Sequence, residues 1–96
     1  MAFVYVIGSA MTRFGKFPQS TVKELAAAAV QGVLQDAALK ASDIQAAFVA
    51  NSFWGMYTGQ HTIRGQVMLR PLGIAGVPIT NVENACAGAS TAFHLA

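Results

Sequence analysis

Residues 77–90 read Val77-Pro78-Ile79-Thr80-Asn81-Val82-Glu83-Asn84-Ala85-Cys86-Ala87-Gly88-Ala89-Ser90. Residues 77–82 are rich in β-branched side chains over a short span, the pattern of a buried strand. From Asn84 to Ala96 the residues are small and largely apolar, which predicts the start of a helix. A strand that runs directly into a helix is the building unit of a parallel sheet, because parallel strands must be joined by long crossovers.

The same unit recurs upstream. Phe3–Ile7, closed by Gly8, predicts a first buried strand, and Gly15 and Pro18 mark a turn after it. Thr21-x-x-Glu24 is a capping box, in which the threonine oxygen takes a backbone amide and the glutamate reaches back. Behind it Val22, Leu25, Ala26, Ala29, Val30, Val33 and Ala37 recur at helical spacing, with Glu24, Gln31 and Gln35 on the other side. Ala41-Ser42-Asp43 breaks that pattern, and Ala46–Ala50 predicts a second strand. Asn51–Gly59 reads as a loop carrying Phe53, Trp54, Met56 and Tyr57. A second helix is expected from about Gln60 to Leu72, ended by Gly73 or Gly76 and made irregular by Pro71. The expectation is an α/β fold of order β-α-β-α-β-α around a mostly parallel sheet. There are no repeats or linkers, so residues 1–96 read as part of one domain with no complete second domain. The last helical pattern reaches Ala96 without a stop signal, which predicts a chain that ends inside an element.

Composition narrows the function. Of the 96 residues 54% are hydrophobic and 10% charged, against about 25% charged in ordinary soluble domains. A transmembrane helix needs about 18 consecutive apolar residues, and the longest candidate, Leu25–Val30, stops at Gln31 and Gly32. A membrane span is therefore excluded, and the charge shortage predicts a surface covered by further protein. The net charge is +2, with Arg13, Lys16, Lys23, Lys40, Arg64 and Arg70 scattered, unlike the clustered footprint of nucleic-acid binding. One cysteine permits no internal disulfide and no cysteine-rich metal site. The start, Met1-Ala2-Phe3, has no basic leader, which points to the cytoplasm.

Cys86 is the candidate nucleophile. It falls at the predicted strand-to-helix junction, beside unpaired amides and the positive end of a helix dipole, an environment that favours the reactive thiolate. Ala87, Gly88 and Ala89 leave room for an acyl group or for close helix packing. The alternative is a buried cysteine acting as a small apolar residue. No glycine-rich phosphate loop is present, and neither His61 nor His94 has metal-ligand spacing. His94 follows Cys86 by eight residues, about two helical turns, too far for direct proton transfer, and reads as a packing or solvent-facing residue. His61 is expected at a helix start. The aromatic group 53–57 suits either an acyl pocket or, more simply, burial under an interface.

Three stretches resemble the thiolase family, in order and with family-like spacing along essentially the whole chain. They are Thr12-Arg13-Phe14-Gly15-Lys16-Phe17, Gly59-Gln60-x-x-x-Arg64, and Gly76-Val77-Pro78-Ile79-Thr80-Asn81-Val82-Glu83-Asn84-Ala85-Cys86. Thiolases usually carry Cys-x-Ser-Gly at the nucleophile, whereas here Ala87-Gly88-Ala89-Ser90 follows Cys86. With His61–Gln66 and Asn81–Asn84, this is more similar to the sterol-carrier-protein-associated and lipid-transfer-related branch.

The resemblance implies the N-terminal part of a layered α-β-α-β-α thiolase-like fold. It implies an acyl-CoA C-acyltransferase of the acetyl- or propanoyl-CoA type, with an acyl thioester formed on Cys86 and no tightly bound cofactor or metal. Coenzyme A and acyl-CoA would be substrates. The coenzyme A-binding loop domain, the histidine motifs and a second, acid–base cysteine would lie beyond Ala96, so the 96 residues alone are expected to be inactive. The resemblance further implies a homodimer or tetramer paired through the third strand, near Thr80, Asn81 and Val82. Two alternatives stand beside this one: a retro-aldolase subunit acting on a side-chain acyl-CoA, and a non-catalytic lipid- or acyl-CoA-binding subunit.

Overall fold

The computed structural model describes residues 2–96. Helix α1 spans Val22–Ala37, with the Thr21 Oγ1 accepting the Glu24 amide at 3.1 Å. The threonine half of the expected box is therefore formed. Val22, Leu25, Ala26, Ala29, Val30, Val33 and Ala37 are half-buried, while Glu24, Gln31 and Gln35 are exposed, as the periodicity predicts. Ala38 ends the helix in the left-handed region at φ 57°, and the amides of Ala38 and Leu39 return to the carbonyls of Gln35 and Leu34.

Strands β1 (Ala47–Ala50) and β2 (Ile79–Val82) pair in parallel, with Ala47 opposite Ile79 and Ala50 opposite Val82. Strand β2 starts at Ile79 rather than Val77. Pro78 has no N–H to give a ladder, and its carbonyl instead accepts the Ala47 amide at 3.0 Å.

The crossover between them differs from expectation in two ways. Where a loop was predicted, Trp54–Thr58 forms a short helix, α2, because the Asn51 Oδ1 accepts the amides of both Phe53 and Trp54 at 3.1 and 2.7 Å. Helix α3 spans Arg64–Leu69 and so begins four residues later than Gln60. Gly59, at φ 78°, closes α2, and the Gln60 side chain donates to the Thr62 carbonyl at 2.6 Å, holding a turn where a helix would have started. After α3 comes a 3-10 turn, Arg70–Leu72, containing Pro71 and ended by Gly73, which is the irregular end the proline predicts.

A further 3-10 turn, Ala85–Ala87, leads into helix α4, Gly88–Leu95. The two glycines at the helix starts show how the layers stack. A Cβ on Gly65 of α3 would meet Val49, Ile79 and Asn81, and one on Gly88 of α4 would meet Ala50. Neighbouring strand residues point to opposite faces, so Val49 and Ala50 place α3 and α4 on opposite sides of the sheet. Helix α1 packs against α3 on the outside. The buried side chains are Trp54, Met68, Leu69, Ile74 and Ala92.

The predicted first strand is not formed. Phe3–Ile7 pairs with neither β1 nor β2, and all five side chains are exposed, Val4 at 88%. A β-branched run becomes a strand only where a ladder partner and a packing face receive it. Here the segment is tied at its far end, where the Ser9 amide donates to the Asp36 Oδ2 at 2.9 Å and Gly8 lies against Ala37. It borders an open apolar hollow of about 880 Å³, lined also by Val33, Leu34, Leu39, Ile44 and Phe93. Much of the apolar excess seen in the composition faces outward around this hollow. No helix among the described residues is long and apolar enough to cross a membrane.

Candidate active site

Parallel sheets place ligands in the crevice beyond the carboxyl ends of their strands. The carboxyl end of β2 runs through Glu83 and Asn84 into the 3-10 turn, and Cys86 is its central residue. Side chains on both sides fix that turn. The Glu83 Oε2 accepts the Ala85 amide at 2.6 Å, and the Asn84 carbonyl accepts the Ala87 amide at 2.9 Å. The Asn84 Nδ2 donates to the Thr91 Oγ1 at 3.0 Å, whose hydroxyl donates to the Ala87 carbonyl at 2.8 Å. Ala85 is thereby held at φ 46°, a left-handed conformation unusual for a residue with a Cβ.

The Cys86 thiol is free and exposed, at the junction the sequence predicts. It borders a hollow of about 220 Å³ lined by Ala50, Asn51, Ser52, Ala85, Gly88 and Ala89. On the Gly88 and alanine side the walls carry nothing beyond a Cβ, which leaves open space beside the sulfur. Among the described residues Cys86 is thus exposed and not buried as a small apolar side chain.

A second hollow, of about 230 Å³, opens at the same end of the sheet and shares Asn51 with the first. His61, Arg64, Asn81 and Glu83 are among its lining residues. His61 lies in the loop before α3 rather than on a helix, with its ring against Gly55. It does not line the Cys86 hollow. Helix α3 is anchored by Asn81, whose Oδ1 accepts the Gly65 amide at 2.6 Å while its Nδ2 donates to the Gln66 Oε1 at 2.8 Å. Just before α3, Ile63 sits at φ 45°. That conformation costs a β-branched residue on the order of 1–3 kcal/mol, which the surrounding bonds must offset.

The remaining candidates are elsewhere. His94 is exposed near the end of α4 and borders the large apolar hollow. Of the aromatic group only Trp54 is buried; Phe53, Met56 and Tyr57 are exposed, and none of the four lines the Cys86 hollow. Glu83, Asn84 and Thr91 fix the cysteine turn, a role that sequence reading did not assign. Their signal was available, since polar side chains flanking a predicted strand end are natural partners for turn amides. Among the described residues, no group of three or more His, Cys, Asp or Glu side chains could hold a metal ion.

An exposed cysteine thus stands in the turn between a parallel strand and a helix. The family model described as "Thiolase, N-terminal domain" matches residues 4–96. The chain belongs to the thiolase family. It is 39% identical over 95 residues to the non-specific lipid-transfer protein-like 2 of Caenorhabditis elegans, covering 96% of this chain and 22% of that protein. It is 39% identical over 100 residues to the benzoylsuccinyl-CoA thiolase subunit BbsB of Thauera aromatica, covering 97% and 23%. It is 30% identical over 94 residues to an acetyl-CoA acetyltransferase of Methanothermobacter thermautotrophicus, covering 98% and 24%. The chain thus spans under a quarter of the length of these relatives. Among solved structures, the 3-oxoacyl-[acyl-carrier-protein] synthase III of Aquifex aeolicus matches with a TM-score of 0.66 at 20% identity, over 80% of this chain and 24% of that one. That likeness shows the fold.

Proposed function

We propose that the chain carries the nucleophile of an acyl-CoA C-acyltransferase of the acetyl- or propanoyl-CoA type, and that Cys86 is that nucleophile. The observation that carries this reading is the exposed Cys86 thiol beside a small-walled hollow at the carboxyl end of β2, in a thiolase-family chain. In the reaction, the Cys86 thiolate attacks the 3-oxo carbonyl of a 3-oxoacyl-CoA. The bond between C2 and C3 breaks, and its electron pair stays on C2. A proton then joins C2, and acetyl-CoA leaves, or propanoyl-CoA where C2 bears a methyl group. The acyl thioester left on Cys86 is attacked by the thiol of a second coenzyme A, which frees the shortened acyl-CoA and returns the cysteine. Dividing the displacement in this way replaces one difficult step by two easier ones. The Cys86 backbone N–H is one candidate oxyanion donor. The acid and base are assigned to residues outside this segment, because neither histidine of the chain lines the Cys86 hollow.

Relatives named for lipid transfer and as sterol carrier protein 2 favour a second reading, a lipid- or acyl-CoA-binding subunit without covalent chemistry. A retro-aldolase would likewise form no thioester on Cys86. Mass spectrometry after exposure to acyl-CoA separates the readings. An acyl group on Cys86 supports the first, and binding without an adduct supports the others.

The same reading includes a homodimer paired through β2 across a two-fold axis. Its support is that β2 pairs with β1 on one side only, among the described residues, while Thr80 is exposed. An open strand edge invites pairing with another chain. Thr80→Arg in the full-length protein is expected to lower the mass measured by light scattering to that of a monomer. An unchanged dimer mass with native-like activity would place the interface elsewhere.

A further inference from the structure

The Gly59-Gln60-x-x-x-Arg64 motif forms a clamp, and Arg64 is its centre. Its Nε donates to the Gln60 carbonyl at 2.8 Å, and its Nη1 donates to the Asn51 carbonyl at 2.6 Å. The second bond reaches back 13 residues, from the start of α3 to the carboxyl end of β1. Asn51 in turn holds α2 through its side chain, which accepts the Phe53 and Trp54 amides. Gly55 has no side chain because a Cβ there would run into the His61 ring and the Arg64 guanidinium. Asn51 and Ser52 form one wall of the Cys86 hollow.

We propose that Arg64 is a positioning residue for the Cys86 site: by holding the Asn51 carbonyl, its guanidinium fixes the Asn51–Ser52 wall and so sets the size of group that reaches the sulfur. The planar fork suits this task, since two carbonyls are held at once in fixed directions, which a lysine ammonium does not reproduce. Arg64 itself does not line that hollow, so it acts through Asn51. The proposal takes Cys86 as the reacting group from the preceding section, but its test needs no acyl-CoA.

The test compares alkylation of Cys86 by iodoacetamide and by the bulkier N-phenylmaleimide in the full-length protein, with peptide mass spectrometry as the readout. Loss of a charge-assisted bond is expected to loosen the wall. In Arg64→Ala the maleimide-to-iodoacetamide rate ratio should rise by about fivefold or more. Added guanidinium ion should lower it again, and Arg64→Lys should fall between. General loss of stability would not respond to guanidinium in this direction. Circular dichroism identifies folded variants; should Arg64→Ala fail to fold, Arg64→Lys decides by the same ratio. A ratio within about twofold of wild type in a folded variant overturns the proposal. A wild-type protein that alkylates normally but takes no acyl group from acyl-CoA would sink the preceding reading and leave this ratio to decide the clamp.

Discussion

Cys86→Ser in the full-length protein is expected to lower thiolysis of a 3-oxoacyl-CoA by on the order of 10⁴-fold or more, with the fold unchanged. The two halves of this expectation have separate causes. Cys86 is exposed in a turn held by Glu83, Asn84 and Thr91, and none of those bonds uses its side chain. Substitution there should change stability by no more than about 0.5 kcal/mol. Chemistry is another matter, because a serine hydroxyl is far less acidic than a thiol and a poor nucleophile at neutral pH in a site built to use a thiolate. Steady-state kinetics with circular dichroism on the same sample measures both. A folded serine variant with activity within tenfold of wild type would remove Cys86 from the covalent step.

Gly65→Val should have the largest effect on stability, about 2–3 kcal/mol, read as a fall in the urea midpoint of the full-length protein. Even the first added carbon would stand 2.7 Å from the Ile79 Cγ2, 2.9 Å from the Asn81 Oδ1 and 3.0 Å from the Val49 Cγ2. All three neighbours belong to the sheet, and one of them, Asn81, is also the acceptor of the Gly65 amide, so α3 must lift off the sheet. Gly65 is the second residue of α3, so removing glycine there gains less than the roughly 1 kcal/mol of a helix interior. Overpacking costs about 1–3 kcal/mol, and the stretched bond to Asn81 adds about 1 kcal/mol more. The loss therefore wins. A midpoint equal to wild type would mean that α3 does not sit against Val49 and Ile79 as described.

The elements that sequence reading placed well are those whose cause is local. Helix α1 follows from its own apolar spacing and from Thr21, and β1 and β2 from short β-branched or apolar runs. The position of Cys86 at a strand-to-helix turn follows from the change of pattern at Val82–Asn84. What failed depended on partners distant in sequence. Phe3–Ile7 has strand composition, but composition does not supply a neighbouring strand. Asn51 reads as part of a loop in the sequence, although one side-chain oxygen accepting two amides is enough to start α2. Arg64 belonged to a motif that the sequence displays, while the carbonyl it holds at Asn51 is known only from the fold. Residues around the cysteine were therefore legible as a motif, and their division of labour was not.

The most direct measurement of the central claim is the mass of the Cys86 peptide. The full-length protein is mixed with acetoacetyl-CoA, quenched in acid within seconds and digested at low pH, where thioesters survive. An acetyl adduct is expected on Cys86, one that neutral hydroxylamine removes and that added coenzyme A discharges as acetyl-CoA. An unmodified Cys86 in a protein that still turns over acetoacetyl-CoA would contradict it.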